Sequence, residues 1–324
     1  MKIRSVLHMS AAVLFCAASA SATSTLSHTW VSGSGSDSNA CTFASPCATF
    51  TGALANTSAG GMITAKDAGD FGAVTITQSV TIDGSNLGSI TFTSGAGLNI
   101  TASANVTVQN LTINGLGSAN NGVAVGSGGI VIVDNCRIMN TTSYGIYFSG
   151  AGNLTVENSI VESLIGVANV GIYINANATE NVVVKNTVID ASPVSANNYG
   201  FGVSEKVGLV QTSLQNVTVI GAGNSAVAIG KGVTEITGSV LTQSGTGVFA
   251  VNGATISVAS SMITANTTGV CSNASSKIRL DNNDIYDNTT AIADCGGIVK
   301  TSGTNKTSGT IAIPAADISE SVTF

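Results

Sequence analysis

A six-residue pattern of apolar and polar positions recurs through the middle of the chain. It reads as an apolar residue, any residue, Asn or a small residue, two further residues and a second apolar residue. The clearest copies are residues 108–113, 133–138, 156–161, 184–189 and 214–219, with weaker copies at 236–241, 258–263 and 280–285. Successive third positions are 25, 23, 28, 30, 22, 22 and 22 residues apart. Self-similarity at such a period is typical of a repeat architecture.

A second apolar pattern runs in phase with the first. Beginning 6 to 13 residues after several of the copies, a Gly leads alternating apolar residues, as in GVAV at Gly122, GIYF at Gly145, GIYI at Gly171, GVFA at Gly247 and GVCS at Gly269. Alternation with a period of two indicates short strands, and outside the chain ends no window keeps a helical period. Three short strands in a repeat of about 22 residues predict an all-β coil of parallel strands. The repeats suffice for about nine or ten coils.

The third position of the pattern is most often Asn. Asn tolerates the left-handed backbone conformation, so Asn110, Asn135 and Asn158 are expected at bends between strands. One such Asn in each coil predicts a file of side chains stacked inside the coil. Amides bonded to one another in this way would satisfy their buried polar groups.

The two ends of the chain differ from the repeat. Residues 1–22 have the charged start, apolar middle and small-residue end of a signal peptide, which predicts a secreted protein in an extracellular or periplasmic location. Residues 23–60 are predicted to form an N-terminal cap with a helix over residues 46–56, starting at Pro46. Residues 61–296 are predicted to form the coil, and residues 297–324 a C-terminal cap or tail. No later segment predicts a membrane span.

Charge and cysteine content restrict the expected partners and predict the disulfides. The chain has 11 Lys and Arg against 17 Asp and Glu, a net charge of −6, so a nucleic-acid partner is not expected. In an oxidising compartment, Cys41 and Cys47 are expected to form one disulfide, and Cys271 and Cys295 another. Cys136 is left over, and its apolar neighbours predict a buried free thiol.

The repeat resembles that of the pectate-lyase-like right-handed parallel β-helix family of secreted bacterial proteins. The opening, WVSGSGSD followed by a Pro, a helix and AGGMITAKDAGDFGAVTITQSVTIDG, is similar to the region that precedes many of these helices. The resemblance covers essentially the whole chain after residue 22 and implies a right-handed coil. It departs from the family pattern in the Cys41 and Cys47 pair, and in AGG where family members often have Gly-Asp. The opening is therefore expected to form a lid over the first coil, whose open edge would otherwise invite aggregation.

Aromatic residues give the first candidate site. Tyr144, Tyr147, Tyr173 and Tyr199 fall on the Gly-led strands or the loops before them, and Phe249 extends the row. Alternation directs Tyr147 and Tyr173 outward. A column of outward aromatic rings, one coil apart, is a platform on which sugar rings can stack. An alternative of equal weight is that the aromatic rings pair only to stiffen the sheet and bind no ligand.

Charged residues give two weaker candidates. The resemblance implies that lyases of this family use calcium-binding carboxylates with a Lys or Arg base, and that hydrolases use several Asp residues. Asp134, Glu157 and Lys185 precede the third position and are expected in one outward column. They form a possible catalytic set, or else a solvated row of charges. Asp281, Asp284 and Asp287 form a possible calcium site, although they lack the spacing of an EF-hand loop. No cofactor is otherwise evident.

These patterns favour a secreted protein that binds extracellular polysaccharide or cell-surface glycan. A polysaccharide lyase or glycoside hydrolase is the first alternative, favoured by the resemblance and the charged column. A structural or adhesive surface protein is the second, because a rod of stacked coils needs no ligand site. The sequence thus leaves open whether the protein is an enzyme.

Overall fold

The computed structural model describes residues 25–312, apart from residues 102, 127, 163, 167, 176–177, 179, 193–196 and 205–208. The predicted signal peptide and the last part of the predicted C-terminal segment, residues 313–324, lie outside the described residues.

Among the described residues, three parallel β-sheets of 12, 11 and 11 strands, called A, B and C, form the body of the protein. After the first strand, which also lies in sheet A, consecutive strands fall in sheets A, B and C in turn, and each strand pairs with the strand one turn later. The predicted all-β parallel β-helix with three strands per coil and a short N-terminal helix is confirmed. Short strands at both ends bring sheets B and C to 11 strands, against the nine or ten coils predicted from the repeat.

The strands are short in every sheet, as a repeat of this length requires. Sheet A consists of Leu26–Val31, Thr57–Ala65, Val80–Asp83, Asn105–Gln109, Gly129–Asp134, Gly152–Glu157, Glu180–Lys185, Val210–Gln215, Val233–Thr237, Thr255–Ala259, Lys277–Asp281 and Ile298–Thr301. Sheet B consists of Gly69–Asp70, Gly88–Thr91, Thr112–Asn114, Arg137–Met139, Ile160–Glu162, Val188–Asp190, Thr218–Ile220, Val240–Thr242, Met262–Thr264, Asp284–Tyr286 and Lys306–Thr307. Sheet C consists of Val74–Ile76, Ala96–Ile100, Asn121–Val125, Tyr144–Phe148, Val170–Ile174, Tyr199–Val203, Ser225–Ile229, Thr246–Ala250, Thr268–Asn273, Thr290–Cys295 and Thr310–Ile311.

The core is a continuous apolar column inside the coil. In sheet C, Ile146 and Phe148 are fully buried, while Tyr147 between them is partly exposed, as alternation requires. Each inward residue lies beside its equivalent one turn later, as Ile146 lies beside Ile172. Burying a side chain of this size contributes about 1.5–3 kcal/mol. The stability of one turn therefore depends on the turns above and below it.

The recurring Asn residues form the corner between sheets A and B. Asn110, Asn135, Asn158, Asn186 and Asn216 have φ angles between 49° and 57°, so the predicted left-handed conformation is confirmed. Their predicted position inside the coil is wrong, because Asn110 is only half-buried and the other four are exposed. The left-handed residue at this corner presents its side chain to solvent, and the residue after it points inward. Hydrogen bonds between side-chain amides still join several of them. Asn135 Nδ2 donates to Asn110 Oδ1 at 2.7 Å, and Asn216 Nδ2 donates to Asn186 Oδ1 at 2.9 Å.

A buried polar ladder lies one residue further along the later repeats. The backbone N–H of Ser239 donates to Ser261 Oγ at 3.1 Å, and that of Ser261 donates to Asn283 Oδ1 at 3.0 Å. The N–H of Asn283 in turn donates to Asn305 Oδ1 at 2.9 Å. At these corners a side chain from the next turn thus satisfies a buried N–H group that would otherwise lack a partner. The sequence reasoning missed this inner ladder because it assigned that role to the preceding Asn.

The N-terminal helix covers the first turn and is shorter than predicted. It runs over Phe50–Asn56, whereas the prediction began at Pro46. Thr49 caps the helix by accepting a hydrogen bond from the N–H of Gly52, and residues before it form a loop. The carbonyl of Pro46 accepts from the side chain of Asn39, which fixes Pro46 in that loop. The buried ring of Phe50 lies edge-on to that of Phe71, with centroids 5.2 Å apart.

Both predicted disulfides are present. One joins Cys41 to Cys47 in the loop before the helix, and the other joins Cys271 to Cys295 on neighbouring strands of sheet C. Cys136 is a buried free thiol, as predicted.

The C-terminal part of the described chain continues the coil. The segment predicted as a cap or tail begins with one short strand in each sheet, namely Ile298–Thr301, Lys306–Thr307 and Thr310–Ile311. Within the described ranges, no helix has the length and apolar character needed to cross a membrane.

Candidate functional site

Three tyrosine rings form a stack on the outer face of sheet C. Tyr147 and Tyr173 are in register on adjacent strands, and their ring centroids are 6.1 Å apart. The ring of Tyr144 lies 5.0 Å from that of Tyr147 and 5.1 Å from that of Tyr173, with interplanar angles of 20° and 13°. We call these three residues the tyrosine stack. The outward column predicted for Tyr147 and Tyr173 is thus present.

Close packing behind the stack explains the glycines that lead these strands. A Cβ atom at Gly145 would lie 2.3 Å from Val161 Cγ1, and one at Gly171 would lie 2.3 Å from Ile189 Cγ2. Only glycine fits where sheet C approaches sheet B this closely. The glycines therefore fix the position of the strands that carry the tyrosines.

A groove opens beside the tyrosine stack. The column that contains Tyr147 and Tyr173 continues through Gly202 and Ala228 to Phe249. The two small residues leave a gap between aromatic rings three turns apart, roughly 14 Å at the usual strand spacing. This sheet C groove has a volume of about 690 Å³. Its lining includes Tyr144, Tyr173, Tyr199, Gly202, Ala228 and Phe249, with the polar residues Asn175, Asn197 and Ser204.

Polar groups in the groove can form hydrogen bonds with a ligand. Ser204 is 9% exposed, and among the described residues its hydroxyl has no hydrogen-bond partner. The oxygen of that hydroxyl is enclosed, so Ser204 shapes the wall of the groove and does not present its hydroxyl to a ligand. Asn175 Nδ2 donates to the hydroxyl of Tyr147 at 2.7 Å, which orients that ring. Burial, and to a lesser degree the neighbouring Tyr147, raises the pKa of Tyr144, so its hydroxyl stays protonated and can donate.

Of the five predicted aromatic residues, the structure places four along the groove, while Tyr147 stacks behind Tyr144 and Tyr173. The sequence reasoning missed the floor of the groove, formed by Gly202 and Ala228. In the sequence, the only indication of this floor is that two small residues interrupt the row of aromatic residues.

The charged column lies on sheet A, apart from the groove. Asp134, Glu157 and Lys185 occupy register positions on adjacent strands, as predicted. Lys185 Nζ is 2.5 Å from Glu157 Oε2, so these two charges neutralise each other. Asp134 Oδ1 accepts a hydrogen bond from the amide of Asn158 at 2.8 Å. The structure thus brings the three candidates together, with each in a local pairing.

The three aspartates considered for calcium have separate surroundings. Asp281 accepts hydrogen bonds from Ser302 and Thr304, which lower its pKa. Asp284 forms a salt bridge with Lys306 at 3.5 Å, and Asp287 lies at a corner with a φ of 55°. Among the described residues, no group of three or more His, Cys, Asp and Glu side chains is arranged to hold a metal ion. Calcium binding stays a prediction.

The fold and the chain comparisons define the class. A coil of three parallel sheets is a parallel β-helix, and residues 30–208 match the family described as "Right handed beta helix region". Because this match spans more than half of the chain, the protein belongs to that right-handed β-helix family.

Similarity to a solved structure agrees with this assignment. The chain is similar to the crystal structure of the pectate lyase Pel9A, with a TM-score of 0.59 and 15% sequence identity. The likeness covers 90% of this chain and 80% of the lyase chain, and at that identity it establishes the fold alone. No curated protein sequence matches this chain significantly.

Proposed function

We propose that this protein is a secreted β-helix protein that binds extracellular polysaccharide through the sheet C groove. The observation that carries the proposal is the tyrosine stack beside a groove floored by Gly202 and Ala228. Aromatic faces offer flat apolar area, onto which the apolar faces of sugar rings can stack. A groove with apolar walls and a few polar groups is typical of ligand sites.

Secretion is proposed on separate grounds. Two disulfides fit an oxidising compartment, since disulfides rarely persist in the cytosol. The charge and hydropathy pattern of residues 1–22 is that of a signal peptide. Mass spectrometry of protein recovered from the culture medium tests this directly, because the N-terminal peptide would begin after Ala22.

A glycan array with purified protein tests the binding proposal. The double variant Tyr147→Ala/Tyr173→Ala removes the rings in the column, and we expect roughly ten-fold or greater loss of affinity, about 1.4 kcal/mol. Tyr286→Ala is the matched control, since Tyr286 lies on sheet B and outside the groove. Binding that survives unchanged in the double variant would contradict the proposal, provided circular dichroism shows both variants folded.

Cleavage of polysaccharide is the second candidate function. It is favoured by the similarity to a pectate lyase and by the adjacency of Asp134, Glu157 and Lys185 on sheet A. Incubation with acidic polysaccharides, with and without calcium, distinguishes it from simple binding. New reducing ends or unsaturated products that disappear in Lys185→Met would favour an enzyme. Intact polysaccharide after incubation would argue against one.

A further inference from the structure

Three cationic side chains lie together on the outer face of sheet A, near the C-terminal end of the coil. Arg279 is in register with Lys300 on the next strand, and Lys277 lies two residues before Arg279 on the same face. All three residues are half-buried, so their aliphatic stems lie against the sheet. We call Lys277, Arg279 and Lys300 the basic patch.

The basic patch differs from three other cations of this acidic protein. Those three have carboxylate partners, Arg137 with Glu162 at 2.5 Å, Lys185 with Glu157 at 2.5 Å and Lys306 with Asp284 at 3.5 Å. Within the part of the chain that the structure describes, no salt bridge or side-chain hydrogen bond involves a member of the basic patch. Among the described residues, none of its three charges is therefore paired directly with a carboxylate.

The arrangement itself favours an anion. Like charges directly opposite each other on adjacent strands are destabilising, and Arg279 and Lys300 are such a pair. Asp281 lies on the same face, but its carboxylate is engaged by Ser302 at 2.5 Å and Thr304 at 2.9 Å. Glu235 is two turns away in the Arg279 column, beyond Ser257. Three positive charges thus face one nearby negative charge.

A small depression lies between these strands. It has a volume of about 60 Å³, and its lining includes the cations Arg279 and Lys300, the carboxylate of Asp281, and the hydroxyl-bearing Ser257 and Ser302. A guanidinium can bind a carboxylate or sulfate with two parallel hydrogen bonds, and an ammonium adds a point charge. The hydroxyl of Ser257 can supply a further donor, whereas that of Ser302 already donates to Asp281. The two cations in the depression therefore favour a single oxyanion group.

We propose that the basic patch binds a carboxylate or sulfate group of an acidic polysaccharide, at a site separate from the sheet C groove. Charge complementarity selects an acidic ligand. The overall charge of −6 opposes a long, uniformly charged polyanion such as a nucleic acid, whereas a glycan can present one oxyanion to a local patch. The site lies on another sheet, so it can be occupied whether or not the groove binds sugar.

Binding to heparin and to polygalacturonate, with neutral dextran as the uncharged comparison, tests this site. We expect binding to at least one of the two acidic polysaccharides that weakens as salt rises. The variant Arg279→Gln/Lys300→Gln should lose roughly ten-fold or more of that affinity, about 1.4 kcal/mol. The variant Lys231→Gln/Lys306→Gln removes the same charge elsewhere and should bind like the wild type. A preference for heparin or polygalacturonate identifies the group as sulfate or carboxylate.

Three results would overturn the site. These are absence of binding to both acidic polysaccharides, equal losses in the two double variants, and binding to anionic vesicles in place of the glycans. The patch variant should unfold at the same temperature as the wild type or slightly above it, since a repulsive pair is removed. The groove variant Tyr147→Ala/Tyr173→Ala should keep its heparin or polygalacturonate binding, which separates failure of this site from failure of the groove.

Discussion

Tyr173 lies over Gly202 of the next turn, so closely that a Cβ atom at position 202 would be 3.3 Å from Cδ2 of the ring. The backbone of Gly202 is not left-handed, so the glycine matters here for the space under the ring and not for its φ angle. The groove begins where this side chain is missing, and it continues because Ala228 is also small. The aromatic ring and the gap beside it are therefore one structural unit.

Filling the groove floor should weaken glycan binding while leaving the tyrosines in place. Ala228→Leu would project a larger side chain into the gap between Tyr173 and Phe249. We expect roughly ten-fold or greater loss of affinity, about 1.4 kcal/mol, in isothermal titration with a glycan that binds the wild type. Ala124→Leu is the matched control, since Ala124 lies in the same outward column on the other side of Tyr147. Equal binding by the two variants would contradict the groove as the site.

The inner ladder should contribute more to stability than the outer row of Asn residues. Asn283 accepts from the N–H of Ser261 at 3.0 Å and donates to the carbonyl of Val258 at 2.8 Å. Asn283→Ala leaves these buried groups unpaired, at a cost of about 1–3 kcal/mol for each. Asn186→Gly removes an exposed amide and keeps the left-handed backbone, so its cost should stay below about 1 kcal/mol. Urea denaturation measures both losses, and a larger loss for Asn186→Gly would show that the outer row dominates.

The repeat could be predicted from the sequence because few residues tolerate its corner. Asn135 and its equivalents recur where the backbone is left-handed, and that conformation restricts the choice of residue strongly enough to be read from one chain. Which way each corner side chain points could not be predicted, because alternation applies within strands and is broken at the bend. Ser159, Ser239 and Asn283 therefore occupy the inward position, and the spacing of the repeats does not indicate this.

The outward direction of the aromatic column could be predicted from alternation within the strands, whereas the groove could not be predicted. Alternation alone directs Tyr147 and Tyr173 outward. Whether Phe249 belongs to that column depends on the register across turns of unequal length, since the repeats step by 28 and 30 residues in this region. Only the strand pairing shows that Gly202 and Ala228 lie between the rings.

The two disulfides should contribute unequally to stability. Cys271 and Cys295 are 24 residues apart, whereas Cys41 and Cys47 are 6 apart. Closing the longer loop removes more unfolded-state entropy, which predicts about 3–4 kcal/mol for the first bond and about 2 kcal/mol for the second. Paired Cys→Ala variants, compared by their free energies of unfolding in urea, measure the difference. The reverse order would show that the N-terminal lid depends on its disulfide for more than chain entropy.

The thiol of Cys136 should be inert in the folded protein. Burial, with a smaller contribution from the charge of Asp134, raises the pKa of Cys136 to about 12. The thiolate is the reactive form, and an unfolded cysteine has a pKa near 8.5. At pH 8 the folded protein should therefore alkylate at least about a hundred-fold more slowly than the urea-unfolded protein. Peptide mapping by mass spectrometry without reductant identifies the labelled cysteine. Equal labelling rates in the folded and unfolded states would show that Cys136 is accessible and that its buried position in the coil is wrong.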